Sequence, residues 1–535
     1  MRRWNGWGDE ANAMDLPANG RQFLEARIGP GHSLPDATLD AVRATVPESR
    51  LAGHPLIDRS PDTRIRHARG QSLPDWLAMR SGEFGVFPDG VAFPETSEQV
   101  AELLRWCQEQ DVVVIPYGGG TSVAGHINPV DQGKPVLTLS LERMNQLMEL
   151  DEISQIATFG AGTPGPMVEA QLRARGYTLG HFPQSWELST VGGWVASRSS
   201  GQQSLRYGRI EQLFAGGRVE TLRGTLILPP IPASSAGPDL REMILGSEGR
   251  MGVITEVKVR VTPLPEVEKF HVIFFRNWDN ARDGARALVQ QRVPLSMLRV
   301  SNAVETETQL ALAGHPGQIA LLEKALRLRG AGEGKCMMTV GITGSRLQHR
   351  QIKSQLRQVL SPYRPVFTGT YLGNKWKEKR FLMPYLRESL WREGYAVDTL
   401  ETCTPWSNVD RLLNLIEDNL RTVLSAEGVK THVFTHLSHF YPQGCSIYTT
   451  YVFPNGADYA ETLARWKRLK DTTSRLIVEN GGTISHQHGV GKDHAPYLPV
   501  EKGELGISMI RTLCHHLDEA HRLNPGTLLT DNGEQ

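Results

Sequence analysis

Hydrophobic positions are scattered over residues 1–85, a polar, irregular stretch with several Pro and Gly that reads as an N-terminal extension carrying short helices. From Val86 the pattern tightens. Over 94–111, Thr96 and Gln99 stand at capping-box spacing, and Val100, Leu103, Leu104 and Cys107 share one helical face. The apolar β-branched run 112–115 predicts a strand, as do 136–139, 153–159, 221–228 and 253–261. Pro263 and Pro265 mark a boundary. Beyond it, 266–440 mixes strands with amphipathic helices such as 319–328 and 409–427. Residues 429–453 predict a β-hairpin turning at 441–444, then a helix over 458–480 and a last helix ending near 524–526. The texture is α+β, without internal repeats, and divides at 1–85, 86–265, 266–440 and 441–535.

Two glycine-rich loops interrupt this pattern. Pro116, Tyr117, Gly118, Gly119, Gly120, Thr121 and Ser122 follow the 112–115 strand directly. Three glycines remove every Cβ from the path, so successive N–H groups can converge on one anion, with two hydroxyls as further donors. Residues 184–201 repeat the idea with Ser189, Thr190, Gly192, Gly193 and a run of small residues from Ser197 to Gly201. A pair of such loops suits a cofactor with a long diphosphate spine. A third stretch, Gly160–Gly165, satisfies G-x-G-x-x-G but lacks the second apolar strand and acidic residue of a dinucleotide fingerprint. Pro164 and Pro166 also remove two N–H donors there, so a plain strand-to-helix turn is the better reading.

The order PYGGGTS, QSWELSTVGGW, GSEGRMGVI resembles the FAD-binding domain of the vanillyl-alcohol oxidase/PCMH flavoproteins. Within that superfamily WNGWG at 4–8, SHQHGVG at 485–491 and the Tyr448 region are most similar to the alkyldihydroxyacetonephosphate synthase branch, over nearly the whole chain. The resemblance implies a two-part PCMH-type FAD-binding domain at 86–265 and an α+β substrate or cap domain at 266–440. The C-terminal hairpin strand, His loop and helices at 441–535 would then return to the active site.

It implies FAD contacts from Pro116–Ser122, from Gln184, Ser185, Trp186, Glu187, Leu188, Ser189 and Thr190, and from Ser197, Arg198, Ser199 and Ser200. The fourth set is Glu248, Gly249, Arg250, Met251, Gly252, Val253 and Ile254. Several superfamily members attach FAD covalently through a His in the triple-glycine loop; Thr121 stands there here, so noncovalent FAD is expected, with His126 a nearby loop histidine.

The same resemblance implies Tyr448 as acid/base, Arg387 as a catalytic and substrate-binding arginine, His486 and His488 as catalytic imidazoles, and Arg299 and Gln487 as substrate-binding residues. A free tyrosine titrates near pH 10, and cations such as Arg387 or a protonated imidazole would favour its phenolate. Gln487 departs from the family's triple-histidine run and cannot become cationic, which bears on binding of a phosphorylated substrate. His436 and His439, with the SHQH pair, could instead form a metal site, but no acidic residue stands beside that pair in sequence and no metal is expected. The implied reaction is exchange of the acyl group of 1-acyl-dihydroxyacetone phosphate for a fatty alcohol, redox-neutral through a flavin N5 adduct. The alternative is an FAD-dependent oxidase or dehydrogenase of a 2-hydroxy acid or other alcohol.

Lys plus Arg equal Asp plus Glu at 58 each, so no global field attracts nucleic acid. Five cysteines without paired spacing suit reduced thiols and give neither a zinc site nor a disulfide frame. No run of 18 apolar residues exists, the start lacks an apolar signal core, and DNGEQ is not a peroxisomal tripeptide. A cytoplasmic protein with a small or lipid-like substrate is expected, and peripheral membrane contact and a homodimer are compatible with the chain.

Overall fold

The computed structural model describes residues 2–313 and 316–530; the C-terminal pentapeptide weighed above lies outside them. The helix expected over 94–111 forms at Ser97–Glu109. Thr96 Oγ1 accepts from the Gln99 N–H, but Gln99 reaches past Thr96 to the Glu95 N–H, so only half of the expected box closes. Its face of Val100, Leu103, Leu104 and Cys107 is buried. The helix is the crossover between strands Gly90–Ala92 and Val113–Tyr117, which both pair parallel with Val136–Ser140. The triple-glycine loop therefore leaves the carboxyl end of three parallel strands, where such strands bind ligands.

A five-stranded antiparallel sheet follows, in the order Leu147–Asp151, Ile156–Gly160, Val253–Arg260, Phe214–Thr221, Gly224–Leu228. Two sequence expectations are corrected here. The single strand read over 221–228 is a hairpin whose first arm contains Gly216 and Gly217, residues that weaken a strand signal but leave room for the Leu228 and Glu256 carbonyls. The strand read from 153 starts at Ile156, because the Asp151 carboxylate accepts from the Ile153 and Ser154 N–H groups and turns the chain.

The largest sheet has seven antiparallel strands, ending with Met297–Ser301, His432–Phe440, Gly444–Pro454 and Tyr395–Pro405 side by side. It runs continuously across position 441, and the Tyr441 N–H bonds the Gly444 carbonyl at 2.8 Å to close the expected hairpin. Strand alternation divides its faces. On Gly444–Pro454, Cys445, Ile447, Tyr451 and Phe453 enter a core shared with helices Val409–Thr422 and Tyr459–Glu479. Tyr448, Thr450 and Val452 face the opposite way, into a cavity.

The last helix, Leu498–Leu517, ends earlier than expected. The Asp518 carboxylate accepts from the Leu523 N–H, and 522–524 then run beside Val114 as an isolated parallel bridge. That satisfies backbone groups at the sheet edge instead of prolonging the helix. The N-terminal segment also returns: Trp7 is buried, and the Gln71 side-chain amide donates to the Gly6 carbonyl. Among the described residues no helix is long and apolar enough to cross a membrane.

Candidate active site

The two glycine-rich loops meet. A Cβ on Gly118 would lie 2.4 Å from Thr190 Oγ1, and one on Gly119 would lie 1.9 Å from the Leu188 carbonyl oxygen. Gly120 sits at φ +69°, a left-handed conformation that favours glycine. Thr190 Oγ1 also caps the helix Val191–Ser197 by accepting from Gly193. Together they wall a cavity of about 520 Å³.

Pro116–Ser122 line it throughout, with Gln184, Ser185, Ser189, Thr190, Ser197, Ser199, Ser200, Glu248, Gly249, Gly252, Val253 and Ile254. Six residues of the expected set do not line it, because their side chains brace the loops. Trp186 stacks on Phe381 at 4.6 Å, Glu187 accepts from the Tyr385 hydroxyl at 2.9 Å, and Leu188 packs on the core. Arg198 pairs with Glu242 at 2.9 Å, Arg250 donates to the Leu523 carbonyl at 3.0 Å, and Met251 is buried. His126 is more than a loop histidine: its Nδ1 is 2.5 Å from Ser122 Oγ and its Nε2 3.2 Å from Glu248 Oε1. Glu248 in turn accepts from the Val490 and Gly491 N–H groups, tying the His loop to the glycine loops.

Tyr448, His488, Gln487, Arg387 and Arg299 all line the same cavity, although they come from separate segments. The Tyr448 hydroxyl donates to Thr399 Oγ1 at 3.3 Å, its ring stacks on His436 at 4.9 Å, and His488 meets it edge-on at 5.8 Å. The expected ease of forming a phenolate is corrected. Burial pushes the Tyr448 hydroxyl up to about 12, the Glu401 and Asp398 carboxylates add to that, and only Arg299 opposes them as a cation. Burial also lowers His436 and His488, which therefore stand neutral beside it.

Arg387 projects from the helix Met383–Arg392 over the face of Trp76, 4.5 Å from its ring centre. Nη1 donates to the Gln71 carbonyl at 2.5 Å, while Nε and Nη2 are buried without a protein acceptor. Burial lowers it to about 10, so it stays cationic at neutral pH. Arg299 is differently placed. Its guanidinium is paired with buried Glu305, which also accepts from His436 Nδ1 at 3.0 Å.

His486 does not line the cavity. It is buried, with Nε2 at 2.5 Å from Arg209 Nη1 and 2.8 Å from the Tyr441 hydroxyl. An Nε2 that accepts from arginine is unprotonated, so His486 is a neutral brace for the loop. The absence of an acid beside the SHQH pair is also corrected: Glu401, from the strand Tyr395–Pro405, stands 3.6 Å from both His486 Nδ1 and His488 Nδ1. Arg209, Glu305 and Glu401 carry no local motif. Only the strand register pairing Glu401 with Tyr448 brings the last of these in. Among the described residues no group of three or more His, Cys, Asp or Glu side chains is arranged to hold a metal ion.

Comparison with known families bears on this arrangement. Residues 88–228 match the FAD binding domain and residues 264–528 the C-terminal domain of FAD linked oxidases. The chain belongs to the FAD-linked oxidase family. Within it, the chain is similar to an alkyldihydroxyacetonephosphate synthase of Dictyostelium discoideum, at 29% identity over 98% of this chain and 93% of that protein. One of Trypanosoma brucei brucei is 27% identical over 98% of this chain and 92% of its own length. A solved structure of alkyldihydroxyacetonephosphate synthase superposes with a TM-score of 0.85 at 26% identity, covering 98% of both chains. FAD is the family's cofactor, and the Cβ-free cradle at 118–120 fits a diphosphate approached by backbone N–H groups.

Proposed function

We propose that this chain is an FAD-dependent alkylglycerone-phosphate synthase, exchanging the acyl group of 1-acyl-dihydroxyacetone phosphate for a fatty alcohol in ether-lipid synthesis. The observation that carries this reading is the composition of the cavity lining. It joins the glycine cradle, the polar side chains of Tyr448, His488, Gln487 and Arg387, and one apolar cluster of Phe23, Leu24, Leu312, Leu386, Leu390 and Val452. A substrate with a polar reacting end and a long apolar tail suits a lining of both kinds.

FAD, when bound, supplies an electron sink for a carbon nucleophile generated on the substrate. The residues of the chain do the rest. Arg387 carries two nitrogens, Nε and Nη2, without a protein acceptor, the kind of group that makes charge-assisted contacts to a phosphate. Gln487, in the same lining, adds neutral hydrogen bonding. We assign the proton at the substrate's C1 to Tyr448 Oη, and the relay of the phenol's own proton to neutral His488, whose ring meets that of Tyr448 edge-on at 5.8 Å. Arg299, tied to Glu305, orients His436 under the Tyr448 ring more than it offers free charge to the substrate. In this reading 86–265 hold the cofactor, 266–440 cover the substrate and 441–535 complete the site, with the N-terminal 1–85 closing over them.

The deciding experiment is anaerobic spectroscopy of the FAD-loaded protein. Acyl-dihydroxyacetone phosphate is expected to bleach the flavin absorbance, and added fatty alcohol to restore it without any external acceptor. Bleaching by a 2-hydroxy acid or other alcohol that persists until oxygen or a dye arrives, with no response to the phosphate ester, would overturn the synthase in favour of an oxidase or dehydrogenase. A Gln487→His variant tightening the phosphate ester only modestly would show that Arg387 dominates phosphate binding.

A further inference from the structure

One carboxylate oxygen gathers the whole His loop. Glu401 Oε1 accepts from the N–H groups of His486, Gln487 and His488 at 3.1, 2.8 and 2.8 Å, and from Ser485 Oγ at 3.0 Å. Ser485 Oγ accepts in turn from the His488 N–H at 3.1 Å. Glu401 is fully buried, and Oε2 has no hydrogen-bond partner, standing 3.6 Å from His486 Nδ1. The same residue is the cross-strand partner of Tyr448, and directly opposed residues on an antiparallel pair share a face. Thus one side chain touches the loop bearing His488 while its strand position is locked to that of Tyr448.

We propose that Glu401 is a positioning residue for the reaction, holding His488 against Tyr448 and supplying the fixed negative charge that governs where the proton of that pair resides. This rests on the roles given above to Tyr448 and His488. Burial pushes the Glu401 carboxyl up, but His488 and His486, as their rings protonate in acid, and the Gln487 N–H outweigh it and hold it well below the usual carboxylate range, so it is charged throughout the working pH range. That charge raises both His488 and Tyr448. The other groups acting on the pair are Lys470, Asp398 and His126 on His488 and Asp398 and Arg299 on Tyr448, while Arg209 and Glu211 act on His486. Arg209 also bonds the His486 carbonyl at 2.9 Å, so the loop has a second anchor if Glu401 is neutralised.

The test is Glu401→Gln in the FAD-loaded enzyme. The variant is expected to retain FAD, to lose about ten-fold or more in kcat with a smaller change in KM, and to shift both limbs of its kcat–pH profile downward by about one unit. Ser485→Ala removes a neutral loop contact and should leave both limbs where they are. Unmoved limbs in Glu401→Gln, whether with normal turnover or with simple loss of FAD and stability, would reduce Glu401 to a structural anchor and overturn the proposal. Should Glu401→Gln not fold, Glu401→Asp keeps the charge but shortens the reach. It should lose turnover without moving the limbs, and full activity in it would equally overturn the proposal. Histidine NMR titration of the same variants needs no substrate. His486 and His488 should titrate about one unit lower in Glu401→Gln, and unchanged titration rejects the proposal even if the substrate assignment itself fails.

Discussion

Gly119 lies so close to Leu188 that a methyl group on its Cα would sit 1.9 Å from the Leu188 carbonyl oxygen. That carbonyl belongs to the second loop of the cofactor cradle, so the two loops are spaced by the absence of a side chain. Gly119→Ala must push them apart. Overpacking of this kind costs about 1–3 kcal/mol, which predicts roughly ten-fold or greater weakening of FAD binding. Flavin content after gel filtration and titration of the apoprotein with FAD measure it; wild-type affinity would show that the loops move freely.

FAD is expected to be dissociable. Thr121 lines the cradle at the position where the resemblance implies a linking histidine in flavoproteins with covalent FAD, and His126 is held by Ser122 and Glu248. Acid precipitation should leave all flavin in the supernatant. Flavin in the pellet would contradict this.

Tyr448→Phe keeps the ring stacked on His436 while removing the hydroxyl that donates to Thr399. FAD content and melting temperature should be nearly unchanged, and turnover should fall by about 100-fold or more if the hydroxyl transfers the proton. Near-normal turnover would return Tyr448 to a packing role.

Acid should destabilise the fold above the pH range in which ordinary carboxylates titrate. Burial lowers His181 and His494 to about 3, so the native protein refuses protons that the unfolded chain takes up below about pH 6.5. Their contribution is complete above that pH and is lost as pH falls towards 3. Asp493 works the other way: burial raises it to about 7, so the native state gains a proton there as pH drops. Burial also lowers His67, His271 and His432 to about 4, so the histidines outweigh the one aspartate and leave a net loss, each proton being worth about 1.4 kcal/mol per pH unit. The melting temperature of the FAD-loaded protein should therefore decline steadily between pH 6.5 and 4.5. A flat profile over that window would contradict it.

Much of the site was legible along the chain because its signals are local. PYGGGTS follows its strand directly, and the hairpin at His432–Phe440 and Gly444–Pro454 was marked by alternation and a turn. The strand Phe214–Thr221 was hidden, since Gly216 and Gly217 mimic a turn until neighbouring strands supply their close contacts.

The amino-acid order by itself determined the cofactor loops and the presence of Tyr448, Arg387 and the SHQH segment, because backbone conformation and strand period depend on near neighbours. Only the tertiary structure decided what surrounds them. Glu401 reaches the His loop across 84 residues and Glu305 reaches His436 across 131, while Arg209 turns His486 away from the cavity. Charge and burial act through space, and separation along the chain says nothing about either. The protonation of Tyr448 was therefore misread from its local sequence and became clear only when its burial and facing carboxylates were seen together.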